Sequence, residues 1–274
     1  LSTTNSVAAA AAECLAEADT ATKVARVTQM AERWASGELE LDSSAPIHPV
    51  DQPGRPPRPL LVNPKDVPRR KITGVHGHAA FIHAVVHIEF NAINLACDAV
   101  QRFRDMPREY YGDWIRVAKE ESEHFCLLND YLRELGYAYG DFDAHDGLWE
   151  MAVSTADDAL TRMALVPRVL EARGLDVTPG MIARLQQANF PRAVEILEII
   201  YRDEVGHVEI GSRWFNYLCA QQGRDPEPTF LYLLETHAAA KLCPPFNREA
   251  RSRAGFSEGE LDYLAQRIGW REKL

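Results

Sequence analysis

Apolar residues recur at three- and four-residue steps along several long stretches of this chain, with polar residues between them. Ala80, Ala84, Val85, Ile88, Ala92, Leu95 and Ala99 form one such stripe. That period belongs to an amphipathic helix and predicts one from about Gly74 to Arg104. Val117, Glu121, His124 and Leu128 share one face of a second helix, from about Pro107 to Leu135. Pro107 suits a first-turn position and Gly136 a stop. A third helix is predicted from about Gly147 to Ala172, kinked at Pro167 and ended by Gly174. After a short helical turn near Pro179–Gln187, a fourth runs from about Pro191 to Gln221. Its inner side carries Val194, Leu197, Ile200, Glu204 and His207.

The flanks read differently. Residues from about Ser6 to Trp34 are rich in Ala, with Glu and Lys23 among them, and predict one or two helices. Pro46, Pro49, Pro53, Pro56, Pro57, Pro59, Pro64 and Pro68 crowd the next segment. Proline ends a helix and pushes the preceding residue to extended backbone, so this is an extended strap. Beyond the fourth helix the pattern predicts a helix near Pro228–Lys241, a break at Cys243-Pro244-Pro245 and a short last helix. Ser257-Glu258-Gly259-Glu260 is a capping box for that last helix. No alternation of period two is convincing, so the fold class is all-α. The expected organisation is 1–73 as helices and strap packed on a bundle, 74–222 as a four-helix bundle, and 223–274 as a helical extension.

Composition changes this picture little. With 30 basic and 40 acidic side chains the formal charge is −10, which gives no global attraction for nucleic acid or anionic membrane. Two local clusters run the other way: Arg69, Arg70 and Lys71 after Pro68, and Lys241, Arg248, Arg251 and Arg253 around Phe246. A solvated or salt-bridged surface is the first reading of both, and a phosphate or RNA contact the second. Cys14, Cys97, Cys126, Cys219 and Cys243 are odd in number and contain no Cys-x-x-Cys, which points to free thiols in a reducing compartment. No stretch reads as a membrane span and no basic segment precedes Ala8–Ala12, so the expected location is cytoplasmic.

The chemistry lies in a pattern read twice. Glu89 is followed by Glu121 and His124, and Glu171 by Glu204 and His207; the separations are 121 − 89 = 32 and 204 − 171 = 33. Residues i and i+3 on a helix point the same way, so each Glu-x-x-His reaches one ion while a lone Glu on a partner helix adds a further carboxylate. One such motif is usually a surface pair; two, each behind a Glu at matching distance on apolar-striped helices, fit a carboxylate-bridged di-metal centre in a bundle. Four buried carboxylates are costly unless cations neutralise them, and two divalent ions would do so. An oxygen-rich set with one imidazole per ion suits iron first and manganese second. Glu150, Asp157 and Asp158 compete with Glu171 for its place, and Arg168 and Arg173 are candidates simply to pair with it. His83 and His87 are candidates to support the ligands, although surface roles or a single buried contact compete. Tyr201 is a candidate to line the site, with core packing as its alternative.

At these six residues the chain resembles the ferritin-like superfamily of di-iron and di-manganese carboxylate proteins, over about Gly74 to Gln221. More specifically, Leu170-Glu171-Ala172-Arg173-Gly174-Leu175-Asp176 and Pro244-Pro245-Phe246-Asn247 are similar to segments of an uncharacterised bacterial ferritin-like family of unknown function, near the tRNA hydroxylases. The resemblance implies a ferritin-like four-helix bundle and an oxidoreductase acting with O₂ or peroxide on a small-molecule substrate. A tRNA or nucleotide hydroxylase and a non-catalytic metal-binding or storage protein are the alternatives. Lack of a Cys-x-x-Cys iron site departs from rubrerythrins, and the strap and tail depart from cage-forming ferritins. Bundles of this kind commonly pair, so a homodimer is expected.

Overall fold

The computed structural model of this chain describes residues 5–41, 50, 52–68, 72, 74–238 and 242–271, the last five by backbone alone. It is all-α: among the described residues β-pairing is limited to isolated bridges at Ser6–Glu40 and Leu61–Ala144. The chain forms two compact units, residues 1–153 and 154–274.

The first unit is built on α3 (Gly74–Arg102) and α4 (Arg108–Glu134), with α1 (Val7–Ala16) against α3 and α2 (Thr20–Ala35) against α4. Ser6 and Asp19 cap α1 and α2, each accepting a backbone N–H that would otherwise have no partner. α4 ends as its sequence predicts. Gly136 takes a positive φ of 82°, and Gly136 N–H and Tyr137 N–H bond the carbonyls of Arg133 and Leu132, the two bonds of a Schellman motif. Pro107 occupies the cap just before α4, not its first turn. The short helix α5 (Gly147–Ser154) follows at the end of this unit.

α3 corrects one expectation: by length and composition it is apolar enough to cross a membrane. Here it is instead the central helix of the unit, 89% of its most apolar window being buried. Ala79, Ala80, Ala96 and Ala99 are buried along it, small side chains that let neighbouring helices approach closely. It also buries His78, His83, His87, Glu89, Asn91, Asn94, Asp98 and Gln101, more polar groups than lipid would tolerate on a lone helix.

The described part of the proline-rich segment runs as an extended strap held at several points. Gly54 N–H bonds the Leu15 carbonyl at 2.8 Å, Val62 N–H bonds Ala144 at 2.9 Å, and Arg55 pairs with Asp146 at 3.0 Å. Gly54 is required by contact: a Cβ there would lie 2.1 Å from the Ala16 carbonyl oxygen. The atoms it would meet, in Ala16 and Glu17, all belong to backbone and cannot swing aside. Gly54→Ala is expected to cost about 1–3 kcal/mol as an overpacked site and to expose the strap to limited proteolysis; wild-type digestion kinetics would refute this docking.

The second unit departs from the predicted third helix. α6 (Ala159–Leu165), capped by Asp158, leads into a π-helical turn (Val166–Glu171) that continues as α7 (Ala172–Gln187). Gly174 therefore does not stop the helix, and the predicted short turn near Pro179 is part of α7, with Pro179 inside it. The physical reason at Pro167 is relief: a proline ring clashes with an α-helical carbonyl four residues back, and a widened turn removes the clash. Asn189 (φ 60°) ends α7 in the left-handed region, and α8 (Pro191–Gln221) returns beside it. α9 (Pro226–His237), α10 (Arg248–Arg253) and α11 (Glu258–Arg271) complete the unit. The capping box forms as read: Ser257 N–H reaches Glu260 at 2.9 Å and Glu260 N–H reaches Ser257 Oγ at 3.1 Å. α10 was not anticipated.

Candidate metal centre

In the first unit Glu89 comes from α3, and Glu121 and His124 from α4. Their exposures are 3%, 0% and 1%. One ligand atom of each lies within 4.8 Å of the others. His124 Nδ1 is 3.3 Å from Glu89 Oε2 and 3.5 Å from Glu121 Oε2. The i, i+3 spacing does what helix geometry requires, turning Glu121 and His124 inward together. Phe90, Ile93, Phe125 and Leu128 are buried on the same two helices. Burial, and then the neighbouring Glu121, push the Glu89 carboxyl well above the usual carboxylate range. Burial alone would depress the His124 imidazole; hydrogen bonding to and attraction by Glu121 and Glu89 reverse that and raise it to about 11. The cluster is built to hold positive charge.

In the second unit α8 carries Glu204 and His207, with His207 Nδ1 3.6 Å from Glu204 Oε1. His207 is buried and Glu204 half-buried. Glu171, half-buried, is the last residue of the π-helical turn. Two close approaches fix the register between these segments. A Cβ at Gly211 would sit 2.3 Å from the Pro167 ring, and one at Gly174 would lie 4.0 Å from Glu204 Oε2. The pairs 167/211 and 174/204 share the sum 378, as antiparallel neighbours should. The same sum places Glu171 level with His207. In the second unit the Glu-x-x-His of α8 and the half-buried Glu171 of the π-helical turn therefore lie at similar heights along neighbouring segments.

The competitors of Glu171 have other places. Asp158 caps α6, and Glu150 and Asp157 are exposed. Arg168 bonds Glu260 at 2.6 Å, and Arg173 bonds the carbonyls of Cys243, Pro244 and Pro245. His83 and His87 hold a loop: His83 Nε2 accepts Gly140 N–H at 3.0 Å, and His87 meets Tyr139 Oη at 2.9 Å and the His145 carbonyl at 3.1 Å. His78, His83 and His87 are all buried, more than the sequence reading allowed. Tyr201 Oη accepts a hydrogen bond from Asn247. The five cysteines are free, and Cys14, Cys97 and Cys219 are buried.

Two members of the second basic cluster are neutralised within the unit. Arg248 pairs with Asp262 and Glu258, and buried Arg251 bonds Asp176 at 2.7 and 2.9 Å. Arg69, Arg70, Lys71 and Lys241 lie outside the described residues. The sequence reading missed Arg168, Asp176, Asn247 and Glu260 as buried or bridging polar groups. A signal was present for two of them: Asp176 and Asn247 close the two family-like segments, and these segments bond each other.

The fold and site together define an all-α protein with a buried carboxylate and histidine cluster able to hold metal. The chain belongs to the family described as "Protein of unknown function (DUF455)", which matches residues 16–262. It is 49% identical over 234 residues to an uncharacterised protein of Haemophilus influenzae, covering 82% of this chain and 81% of that one. No solved structure matches it.

Proposed function

We propose that this chain is a di-metal oxidoreductase of the ferritin-like kind, acting with O₂ or peroxide. In this reading Glu89, Glu121 and His124 hold one half of the centre, and Glu171, Glu204 and His207 the other. The buried cluster of Glu89, Glu121 and His124 carries the proposal, and the second Glu-x-x-His on α8, with His207 buried, supports it. The donor set fits the ions. Carboxylate oxygens with one imidazole per half favour iron or manganese, and no thiolate takes part. The bound ions would supply redox chemistry and open coordination positions. The chain's own residues would hold them, orient the carboxylates and keep bulk water out through the apolar side chains around Glu89 and His124.

The test is metal content by elemental analysis on protein purified without chelator or added metal, and again after reconstitution. The expected result is two iron or manganese ions per chain, as in di-metal bundles, lost in Glu204→Ala and in His207→Ala. Two ions retained in either variant would refute the ligand set. Metal uptake without O₂ or peroxide consumption, across a series of reductants, would leave a metal-binding protein and remove the oxidoreductase.

A further inference from the structure

We infer that Asn247 is a positioning residue for the Glu171, Glu204 and His207 half of the centre, tying together the two helices that carry those ligands. This rests on the metal reading above. The tie begins with a proline. Pro179 has no N–H to return to the Leu175 carbonyl four residues back, so that acceptor lacks its helical partner. Asn247 Nδ2 takes it at 3.1 Å. The same Nδ2 reaches Tyr201 Oη at 3.0 Å, and Tyr201 stands one helical step before Glu204 on α8. Asn247 N–H bonds Asp176 Oδ1 at 2.8 Å. One residue therefore spans α7, just after Glu171 and Gly174, and α8, just before Glu204 and His207.

The surroundings hold Asn247 itself in place. Its Oδ1 accepts Ala250 N–H at 3.1 Å and so caps α10. Arg251 of α10 returns to Asp176 through both carboxylate oxygens. Arg173 gathers the carbonyls of Cys243, Pro244 and Pro245, fixing the approach of the chain to Asn247. Glu204 Oε2 lies 4.0 Å from where a Cβ on Gly174 would sit, so a slide of α7 along α8 would change the surroundings of that carboxylate. Partners bonded directly to metal ligands alter affinity about 10–100-fold when removed, and Asn247 acts one contact further out, so the lower end of that range is expected.

Asn247→Asp keeps the cap, since aspartate caps a helix equally well, and removes the donation to Leu175; the Tyr201 hydroxyl can still donate to the new carboxylate, so that arm is tested by its own variant. Tyr201→Phe removes one acceptor and little else. Full-length wild type, both variants and the double variant are titrated with Mn(II), freed of unbound ion and examined by EPR, with urea midpoints in parallel. Wild type should hold two exchange-coupled ions. Asn247→Asp should lose the weaker ion by about tenfold or more in affinity, leaving the hyperfine-split spectrum of an isolated ion. Tyr201→Phe should act in the same direction, more weakly, and should deepen the loss in the Asn247→Asp background, where it removes the remaining arm of the tie. A wild type that binds no manganese overturns both this inference and the centre. A coupled pair at wild-type affinity in Asn247→Asp and in Tyr201→Phe overturns the tie alone.

Discussion

Glu260→Ala is expected to destabilise the second unit by about 3–5 kcal/mol, the range for removing one partner of a buried ion pair. Arg168 lies in the π-helical turn and is 1% exposed. Its guanidinium packs over the rings of Phe215, Phe230 and Phe256 at 4.8, 4.0 and 4.5 Å. Its Nη2 bonds Glu260 at 2.6 Å, while Nε and Nη1 have no hydrogen-bond partner among the described residues. Burial lowers the arginine's affinity for its proton, and Glu260 opposes that. The ring faces supplement the carboxylate but cannot replace it.

Glu260 also serves the capping box, worth about 1 kcal/mol, so alanine removes two interactions. Glu260→Gln keeps a side chain that can cap and removes only the charge. Urea unfolding should place the glutamine variant nearer to alanine than to wild type. Replacing both partners, Arg168→Met with Glu260→Gln, should recover much of the loss, because no uncompensated charge is then buried in the aromatic box. A glutamine variant as stable as wild type would show that the cap, not the ion pair, is the stabilising part. The effect should extend beyond stability, since Arg168 lies three residues before Glu171 and anchors the turn that places it.

How much of this was legible follows from where the information lies. α3, α4 and α8 were readable because long apolar stripes end at residues with local meaning: Gly136 in the left-handed region, and Pro191 in a first helical turn. The path from Gly147 to Gln187 was not. Pro167 and Gly174 are stop signals only when nothing distant compensates. Here Gly211 leaves room for the Pro167 ring and the turn around it widens, and the helix continues through Gly174 as well. The first half of the site was legible because Glu89 is a charge within an apolar stripe and Glu121 and His124 are three apart. The height of Glu171 relative to His207 follows only from the register between two segments. Asn247 was legible only as the end of a family-like segment; its role was not, because its partners Leu175, Asp176 and Tyr201 are distant in sequence.

Glu89→Gln should leave the metal-free chain within about 1 kcal/mol of wild type, the worth of one hydrogen bond, while abolishing stabilisation by metal. The two halves of this expectation have different causes. Burial and Glu121 already push the Glu89 carboxyl toward its neutral form, so an amide of the same shape changes little in the empty cluster. A neutral amide is a poor substitute for a carboxylate toward a divalent ion, however, so the ligand is lost. His124→Ala should behave in the opposite way. It leaves buried Glu121 without its nearest cation and should destabilise the metal-free chain by about 3–5 kcal/mol. Unfolding midpoints with and without Mn(II) separate the cases. At an ion concentration a hundredfold above Kd, wild type should gain about 2.7 kcal/mol per site, and Glu89→Gln should gain none at the site it lines. An equal gain in both would mean that Glu89 is a buried acid paired with His124 for structure alone. A large loss in metal-free Glu89→Gln would mean that its charge, not its shape, holds α3 against α4.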